Sequence, residues 1–463
     1  LFPLMQEPRT VVYPWKGKFI YALGTFGFSS YSFPADNNED KPGKPGIAFG
    51  QMFFDAETAE MFLFAPTRKG VENPTTGSGL ACIPLGGPYQ NRGLDVVRVD
   101  ATSTYLLKNK TKAREIITFD ANANNTIVYP NIPQKISSGA VPVSTDNDGN
   151  HNWNRVAANT TDAERTASQQ PEVDEHFNVS QLYDWYNAIG GRIGWDDNDF
   201  SAPLVPDQNI NVVAHTYDSG AGTSRSVNAF FDKQLVNGQW ISHLAFFDGD
   251  PTGATFAGFV FDYLAGSSAI VAHEYQHAVT DFSFKDGAGN PGLTYSDWYA
   301  AIHEGTSDVF GGLFSGNWWM GNECSPTGQI FRNLAYPRDS APLDPNKFDH
   351  WDDRNNISGS SARYHRGDIL AHCAYLMAQG GVHQRSSRTP ALIPVKGLGR
   401  ETVGGKDVYK AARIWYRALS LYLSNIGAMT GMPANDENIF RTFRNATISA
   451  AIDLYGTNSN EHK

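Results

Sequence analysis

Residues 273 to 277 read His-Glu-Tyr-Gln-His, and chemistry can begin from that spacing. On an α-helix two histidines four apart share a face, so His273 and His277 can hold one metal ion between their rings. Glu274 sits about 100° round from His273, within reach of a water on that ion without ligating it. Two imidazoles and a neighbouring carboxylate are the parts that zinc-activated hydrolysis needs. The surroundings favour a helix. Ser267-Ser268 can cap its start, Ala269-Ile270-Val271-Ala272 leads in, and no glycine or proline follows before Gly287.

A catalytic zinc site takes three protein ligands and keeps one position open, so a third ligand must lie elsewhere. The arrangement with Gly and His three and six residues after the second histidine is excluded, because those positions are Thr280 and Ser283. Downstream, Ser296-Asp297 opens a second helical run reaching Phe314, in which Glu304 and Asp308 lie four apart on one face. Glu304 is the expected third ligand, and Asp308 can accept the spare N–H of a zinc histidine. With such a set, Glu274 would take a proton from water of pKa about 7 and later hand it to a leaving amine.

These residues carry a family resemblance. His273 to Asp281, followed by Ala301-Ile-His-Glu-Gly-Thr-Ser-Asp-Val-Phe-Gly311, resembles the paired signature of the thermolysin-like neutral metalloproteases, with a connection several residues longer. Val173 to Tyr186 resembles the family's helix before its substrate-edge strand, and Asn228-Ala-Phe-Phe231 with Phe247-Asp-Gly-Asp250 resembles that strand and its turn. Tyr364-His365, Ala374 to Gly381, Tyr416 to Leu423 and Asp453 to Gly456 continue the match in order.

The resemblance implies an α+β fold, a two-lobed catalytic domain with a β-rich N-terminal lobe and a mainly helical C-terminal lobe. The expected boundaries are an extra β-rich segment over 1–74, the first lobe over 75–260 and the second over 261–463, with the zinc helix at the junction. It also implies an endopeptidase holding one zinc ion and acting on protein or peptide substrates. Tyr295 and His365 are then the donors to the oxyanion, Asn228 and Ala229 hold the peptide as an added strand, and Arg332 binds a substrate carbonyl. Ile270 and Phe331 would line the pocket after the scissile bond, which implies cleavage before bulky apolar residues. Phe331 is larger than the aliphatic residue thermolysin presents, so medium-sized side chains are favoured.

Several positions depart from the family. Its paired calcium site uses carboxylates where this chain has Ala269 and Ser315, then Trp318-Trp319-Met320, so that site is expected to be missing; a further calcium ligand falls on Gln329. Asp146 and Asp148 can clamp a hard cation, although such loops are more often solvated turns. The aspartate expected to orient His365 is Ser360, which leaves Asp352 or Asp353 as substitutes. His303 stands where the family usually has asparagine, and is expected on a helix face about 100° from Glu304.

Composition sets limits. A chain of 463 residues with 41% hydrophobic and 13% aromatic content supports two to three domains with real cores. A formal net charge of -11 argues against nucleic acid or anionic membrane as a partner, and no apolar run is long enough to span a bilayer. Cys82, Cys324 and Cys373 allow at most one disulfide. A secreted monomer is expected from the resemblance, with a signal peptide already removed, since Leu1-Phe-Pro-Leu lacks a basic start. In a eukaryotic secretory host, sequons at Asn109, Asn124, Asn159, Asn178, Asn356 and Asn445 would be glycosylation sites.

Along the chain, residues 1–74 read as short strands around Thr10–Tyr13, Phe19–Ala22, Ile47–Phe49, Met52–Phe54 and Met61–Phe64, turning at Asp55-Ala-Glu-Thr. This segment is either a retained pro-region-like shield or a small accessory β-domain. Pro74 to Gly79 reads as a boundary, Asp146 to Pro171 as polar loop, and the region beyond 261 as mainly helix, including Asp407 to Leu423. Two rival classes stand beside the endopeptidase. One is a non-catalytic binding or structural protein on the same fold, against which the intact His273, Glu274, His277 and Glu304 speak. The other is a zinc aminopeptidase, which would place its glutamate ligand closer to His277 and needs an acidic site for a free amine.

Overall fold

The computed structural model of this chain describes residues 9–15, 18–29, 48–55, 61–66, 72–82, 90–99, 104–146, 149–156, 161–197, 209–220, 222–223, 225–254, 258–284, 292–293, 295, 297–339, 348–356, 361–383, 394–424 and 438–462. The chain divides into two compact units, residues 1–73 with 98–104 and residues 74–97 with 105–463. In the smaller unit, aromatic and β-branched runs pair as an antiparallel sheet in chain order: β1 (Arg9–Trp15), β2 (Lys18–Ser29), β3 (Ala48–Asp55) and β4 (Met61–Pro66). Trp15 pairs with Lys18, and the β3–β4 ladder shifts register between Phe53 and Phe54. Beyond Asp55, the expected turn falls outside the described residues, as do Asp148 and Ser360.

The larger unit continues with β5 (Glu72–Leu80), β6 (Asn91–Val99), β7 (Thr104–Leu106), β8 (Lys108–Asn109), β9 (Glu115–Asp120), α1 (Ile132–Ser137), β10 (Asn152–Trp153), α2 (Asp162–Thr166) and α3 (Gln170–Gly190). Then come β11 (Asn209–Ala214), β12 (Ala229–Val236) and β13 (Gln239–Phe246). The expected boundary at Pro74 coincides with the division between the two units, although Pro74 to Gly79 themselves lie in β5, whose Ser78 and Gly79 pair in parallel with β10. One expectation fails here. Asp146 to Pro171 is not all loop: Thr161 and Glu164 form a reciprocal capping box that nucleates α2, and Pro171 occupies the first turn of α3, where a missing N–H costs nothing.

Five strands run in the order β12-β13-β11-β9-β8, with β11 parallel to both neighbours and the outer pairs antiparallel. β12 is the rim of this sheet. It pairs with β13 from Ala229↔Phe246 to Val236↔Gln239, and no further strand lies beyond it among the described residues.

Five helices follow: α4 (Ser268–Ser283), α5 (Asp297–Ser315), α6 (Ala362–Gln379), α7 (Lys410–Arg417) and α8 (Asn438–Tyr455). Ser267 caps α4, its Oγ accepting the Ile270 amide at 3.4 Å. Ala269, Val271, Tyr275, Ala278 and Val279 are fully buried on different sides of α4, so the helix runs through the core, not over it. Its place is fixed by an aromatic stack in which Tyr186 of α3 lies 5.3 Å from Tyr275 of α4 and 5.8 Å from Phe310 of α5. Each such ring contributes roughly 1.5–3 kcal/mol by leaving water. α5 and α6 meet backbone to backbone: a Cβ on Gly305 would lie 2.9 Å from Gly367 Cα and 2.8 Å from Leu370 Cδ1. Residues 406–409, expected as the start of a helix, pair instead with 400–403 as a hairpin ahead of α7.

No described helix is long and apolar enough to cross a membrane. All three cysteines are free thiols, so the single disulfide that the count allowed is not made. Asn109 and Asn178 are buried, so neither sequon can take a glycan in this fold.

Candidate active site

α4 and α5 bring the expected ligands together. His273 Nε2 and His277 Nε2 lie 3.1 Å apart, and Glu304 Oε2 lies 3.5 Å from the first and 4.0 Å from the second. Ligand atoms at 2.0–2.1 Å from a tetrahedral zinc are about 3.3 Å apart, so this triangle has the size of one face of such a site. Glu274 is adjacent, with one atom each from His273, Glu274 and His277 all within 4.8 Å of one another.

A buried charge needs partners, and each ligand has them. His273 Nδ1 lies 2.8 Å from Asp308 Oδ1. Burial works against charge on His273, but Asp308 and Glu304 outweigh it and hold the imidazole up to about 10. Asp308 also accepts Arg332 Nη1 at 2.5 Å, and Arg332 Nη2 stands 3.8 Å from Glu304. Burial opposes charge on Glu304 too, yet His273, His277 and Arg332 hold its carboxyl below the usual range. Burial is the main influence on Glu274 and raises its carboxyl to about 7, with His273 pulling the other way. That value suits a group that must both take and give a proton near neutrality.

His277 has a support that the sequence reading did not foresee. Its Nδ1 lies 3.4 Å from His303 Nδ1, His303 Nε2 lies 3.2 Å from Asp281 Oδ1, and Asp281 pairs with Lys233 of β12. One tautomer fits the line: His277 donates from Nδ1 to His303 Nδ1, leaving Nε2 free for metal, and the His303 proton then sits on Nε2, near Asp281 but without a formed hydrogen bond to it. Burial pushes His277 down to about 3, with His273 and His303 acting the same way and Glu304 opposing. His303 was expected on a helix face away from Glu304, and its ring lies against His277. That contact was not legible, because the partners lie on different elements.

Two cavities meet at this centre. The larger, about 870 Å³, is crossed by Asn228 to Lys233 of the sheet rim and reaches His277, Glu304, Arg332 and Tyr295. The smaller, about 350 Å³, holds Ile270 and Phe331 with Val227, Leu264 and Met320, and opens onto His273, Glu274 and Arg332. Phe331 is held flat against Phe261, 3.9 Å between ring centres. Tyr295 is largely exposed and its hydroxyl donates to Glu304. His365, in the first turn of α6, is buried 5.3 Å from the Phe348 ring and lines the smaller cavity, so the two expected oxyanion donors stand on different walls. Tyr364 lines both cavities, with Arg332 at 5.3 Å and Arg363 at 5.0 Å over its ring. Neighbours on a helix point about 100° apart, so the Arg363-Tyr364-His365 run carried this ambiguity in the sequence.

Asp146 is buried and its two carboxylate oxygens accept the His151 and Tyr105 amides, so it is not a solvated turn residue. Where the paired calcium site would lie, Ala269 is buried and Ser315 Oγ donates to Gly311 O at 2.7 Å.

Descriptions of the thermolysin metallopeptidase catalytic domain and of its alpha-helical domain match residues 87–281 and 291–463. The chain belongs to the thermolysin metallopeptidase family. Family relatives include thermostable neutral protease NprT of Geobacillus stearothermophilus, 29% identical over 85% of this chain and 57% of that protein. Neutral protease B of Bacillus subtilis (strain 168) is 26% identical over 96% of this chain and 67% of that protein, and thermolysin of Bacillus sp. (strain EA1) is 29% identical over 85% and 57%. The chain thus spans 57% of the length of the first and third. A solved precursor of protealysin, a metalloproteinase from Serratia proteamaculans, has a TM-score of 0.41 at 18% identity, over 63% of this chain and 75% of that one. Membership makes this a metal-binding fold of the hydrolase class, with a β-rich lobe followed by a helical one.

Proposed function

We propose that the protein is a zinc-dependent endopeptidase that hydrolyses internal peptide bonds before bulky apolar residues and works outside the cell. The observation that carries this reading is the triangle of His273, His277 and Glu304 beside Glu274, set in a cavity crossed by an open strand edge. The metal, when bound by those three residues, supplies a Lewis acid that brings the pKa of water to about 7. Glu274 takes the proton of the attacking water and passes it to the departing amine. Asp308 and His303 hold the two histidine rings in the tautomer that exposes Nε2.

The substrate lies along β12, where Asn228 and the Ala229 backbone add it to the sheet as one more strand. Arg332, anchored on Asp308, turns its remaining N–H groups toward a substrate carbonyl. Tyr295 and Tyr364 donate to the developing oxyanion, and His365 closes the smaller cavity beneath. Ile270 and Phe331 receive the side chain that follows the cleaved bond. The test is cleavage of an internally quenched, end-blocked peptide by wild type and Glu274→Gln, with zinc content measured on both. Cleavage by wild type alone, at equal zinc, is expected. Equal zinc with no cleavage by either would overturn the reading in favour of a binding protein.

A further inference from the structure

The first two turns of α3 bury acids that helices ordinarily keep in water: Glu172, Asp174 and Glu175 are each 3% exposed or less. Asp174 is provided for, since its Oδ2 accepts the Cys82 amide at 2.6 Å and its Oδ1 lies 3.7 Å from Arg92 Nε. Glu172 and Glu175 are not. Glu172 Oε1 accepts a long bond from Ser144 Oγ at 3.4 Å, while Glu172 Oε2, both Glu175 oxygens and Asp248 Oδ2 are buried with no donor among the described residues. Buried carboxylate oxygens need such partners, and four here have none. Glu175 interacts electrostatically with His215, Glu172 and Asp248, and Asp120, Glu172 and His215 bring one atom each within 4.8 Å of one another.

His215 decides the chemistry of this cluster. Its Nδ1 lies 2.7 Å from Asp248 Oδ1 and its Nε2 2.9 Å from the Ser168 carbonyl. A carbonyl only accepts, so Nε2 must donate, and Nδ1 faces a carboxylate at charge-assisted distance. With both nitrogens engaged the ring is no ligand. The donors left are all carboxylate oxygens, the set a hard cation takes. Calcium bonds of 2.3–2.6 Å place oxygens on opposite sides of the ion about 5 Å apart, which accommodates the Asp120 and Glu172 oxygens, within 4.8 Å of one another. Burial pushes the Glu172 carboxyl up to about 8, with His215 and Arg155 pulling the other way, and His215, itself held up to about 10 by Asp248 against its burial, offsets one negative charge among the four acids. The remaining charge calls for protons or an ion.

We propose that Glu172, Glu175, Asp248 and Asp120 form a buried calcium site, with His215 as the positioning residue that holds Asp248. Half-buried Asp120, at the end of β9, is its opening to solvent. The ion would tie α3 to the turn after β13, whose Phe247 lines the larger cavity and donates its amide to Asn228 O at 3.2 Å.

Terbium(III) serves as the calcium probe on the zinc-loaded full chain. Trp153 is a built-in sensitiser, because its Nε1 donates to Ser144 Oγ at 3.2 Å, and that hydroxyl reaches Glu172. Expected are sensitised emission displaced by calcium, and a calcium-dependent rise in Tm of roughly 5 °C. Both should vanish in Glu172→Gln/Glu175→Gln and survive in Asp146→Asn. Wild type showing neither effect, or the double variant keeping both, overturns the site. Should the double variant not fold, infrared spectra of wild type decide. A protonated-carboxyl band that disappears on adding calcium supports the site, and one that persists at saturating calcium shows a neutral acid pair and overturns it.

Discussion

Replacing His303 by phenylalanine keeps a ring in a buried space and removes both nitrogens of the line from His277 to Asp281. The two contacts, 3.4 and 3.2 Å, are at the long end of the hydrogen-bond range. Partners behind a metal ligand ordinarily account for 10–100-fold in affinity, so the lower figure applies. His303→Phe should weaken zinc binding about tenfold, or about 1.4 kcal/mol. Asp308 stands only 2.8 Å from His273, and Asp308→Asn should approach the hundredfold end. The assay is zinc competition against a chelating dye at fixed pH, with circular dichroism confirming the fold. Since His303 and Asp281 act through one ring, Asp281→Asn should add little in the His303→Phe background. Wild-type zinc affinity in folded His303→Phe, or full additivity with Asp281→Asn, would refute the line of support.

Tyr364→Phe should lower kcat on a blocked peptide by about 10²-fold with KM moved far less, the pattern of an oxyanion donor; an effect confined to KM would count against that role. Phe331→Val enlarges the smaller cavity and should shift cleavage toward larger apolar residues by roughly tenfold in relative kcat/KM, read from a peptide library. Gly305→Ala forces α5 away from Gly367 and Leu370, and should lower stability by about 1–3 kcal/mol in thermal melts. Because Glu304 is the preceding residue, zinc affinity should fall as well.

What could be read from the sequence was what periodicity writes into neighbouring residues. The capped α4 with His273 and His277 on one face, and the Glu304–Asp308 pair on α5, were legible because helical spacing alone aligns them. The strands of the first 66 residues were legible from their aromatic runs. Structure that depends on distant partners was not. That the boundary stretch Pro74 to Gly79 is itself strand shows only once Ser78 and Gly79 meet β10, and Asp407 to Tyr409 looks helical until residues 400–403 pair with it. The contact between His303 and His277 spans two helices, and the choice between Tyr364 and His365 turns on one residue of helical phase. The burial of Glu172 and Glu175 was equally hidden. Acids at the start of a helix read as favourable first-turn charges, and only packing against Ser144, His215 and Asp248 makes them costly.

The rim position of β12 has a consequence for the protein's own survival. A strand edge grips main chain, and main chain is the same in every protein, this one included. An endopeptidase of the proposed kind would find the apolar residues that its smaller cavity accepts in its own sequence as readily as in a substrate. What would spare its own sites is whether the stretch around them is free to lie extended along β12. Self-digestion is then governed by how often its own loops peel away, so changes that tighten surface loops should lengthen working life at high protein concentration without touching the catalytic groups.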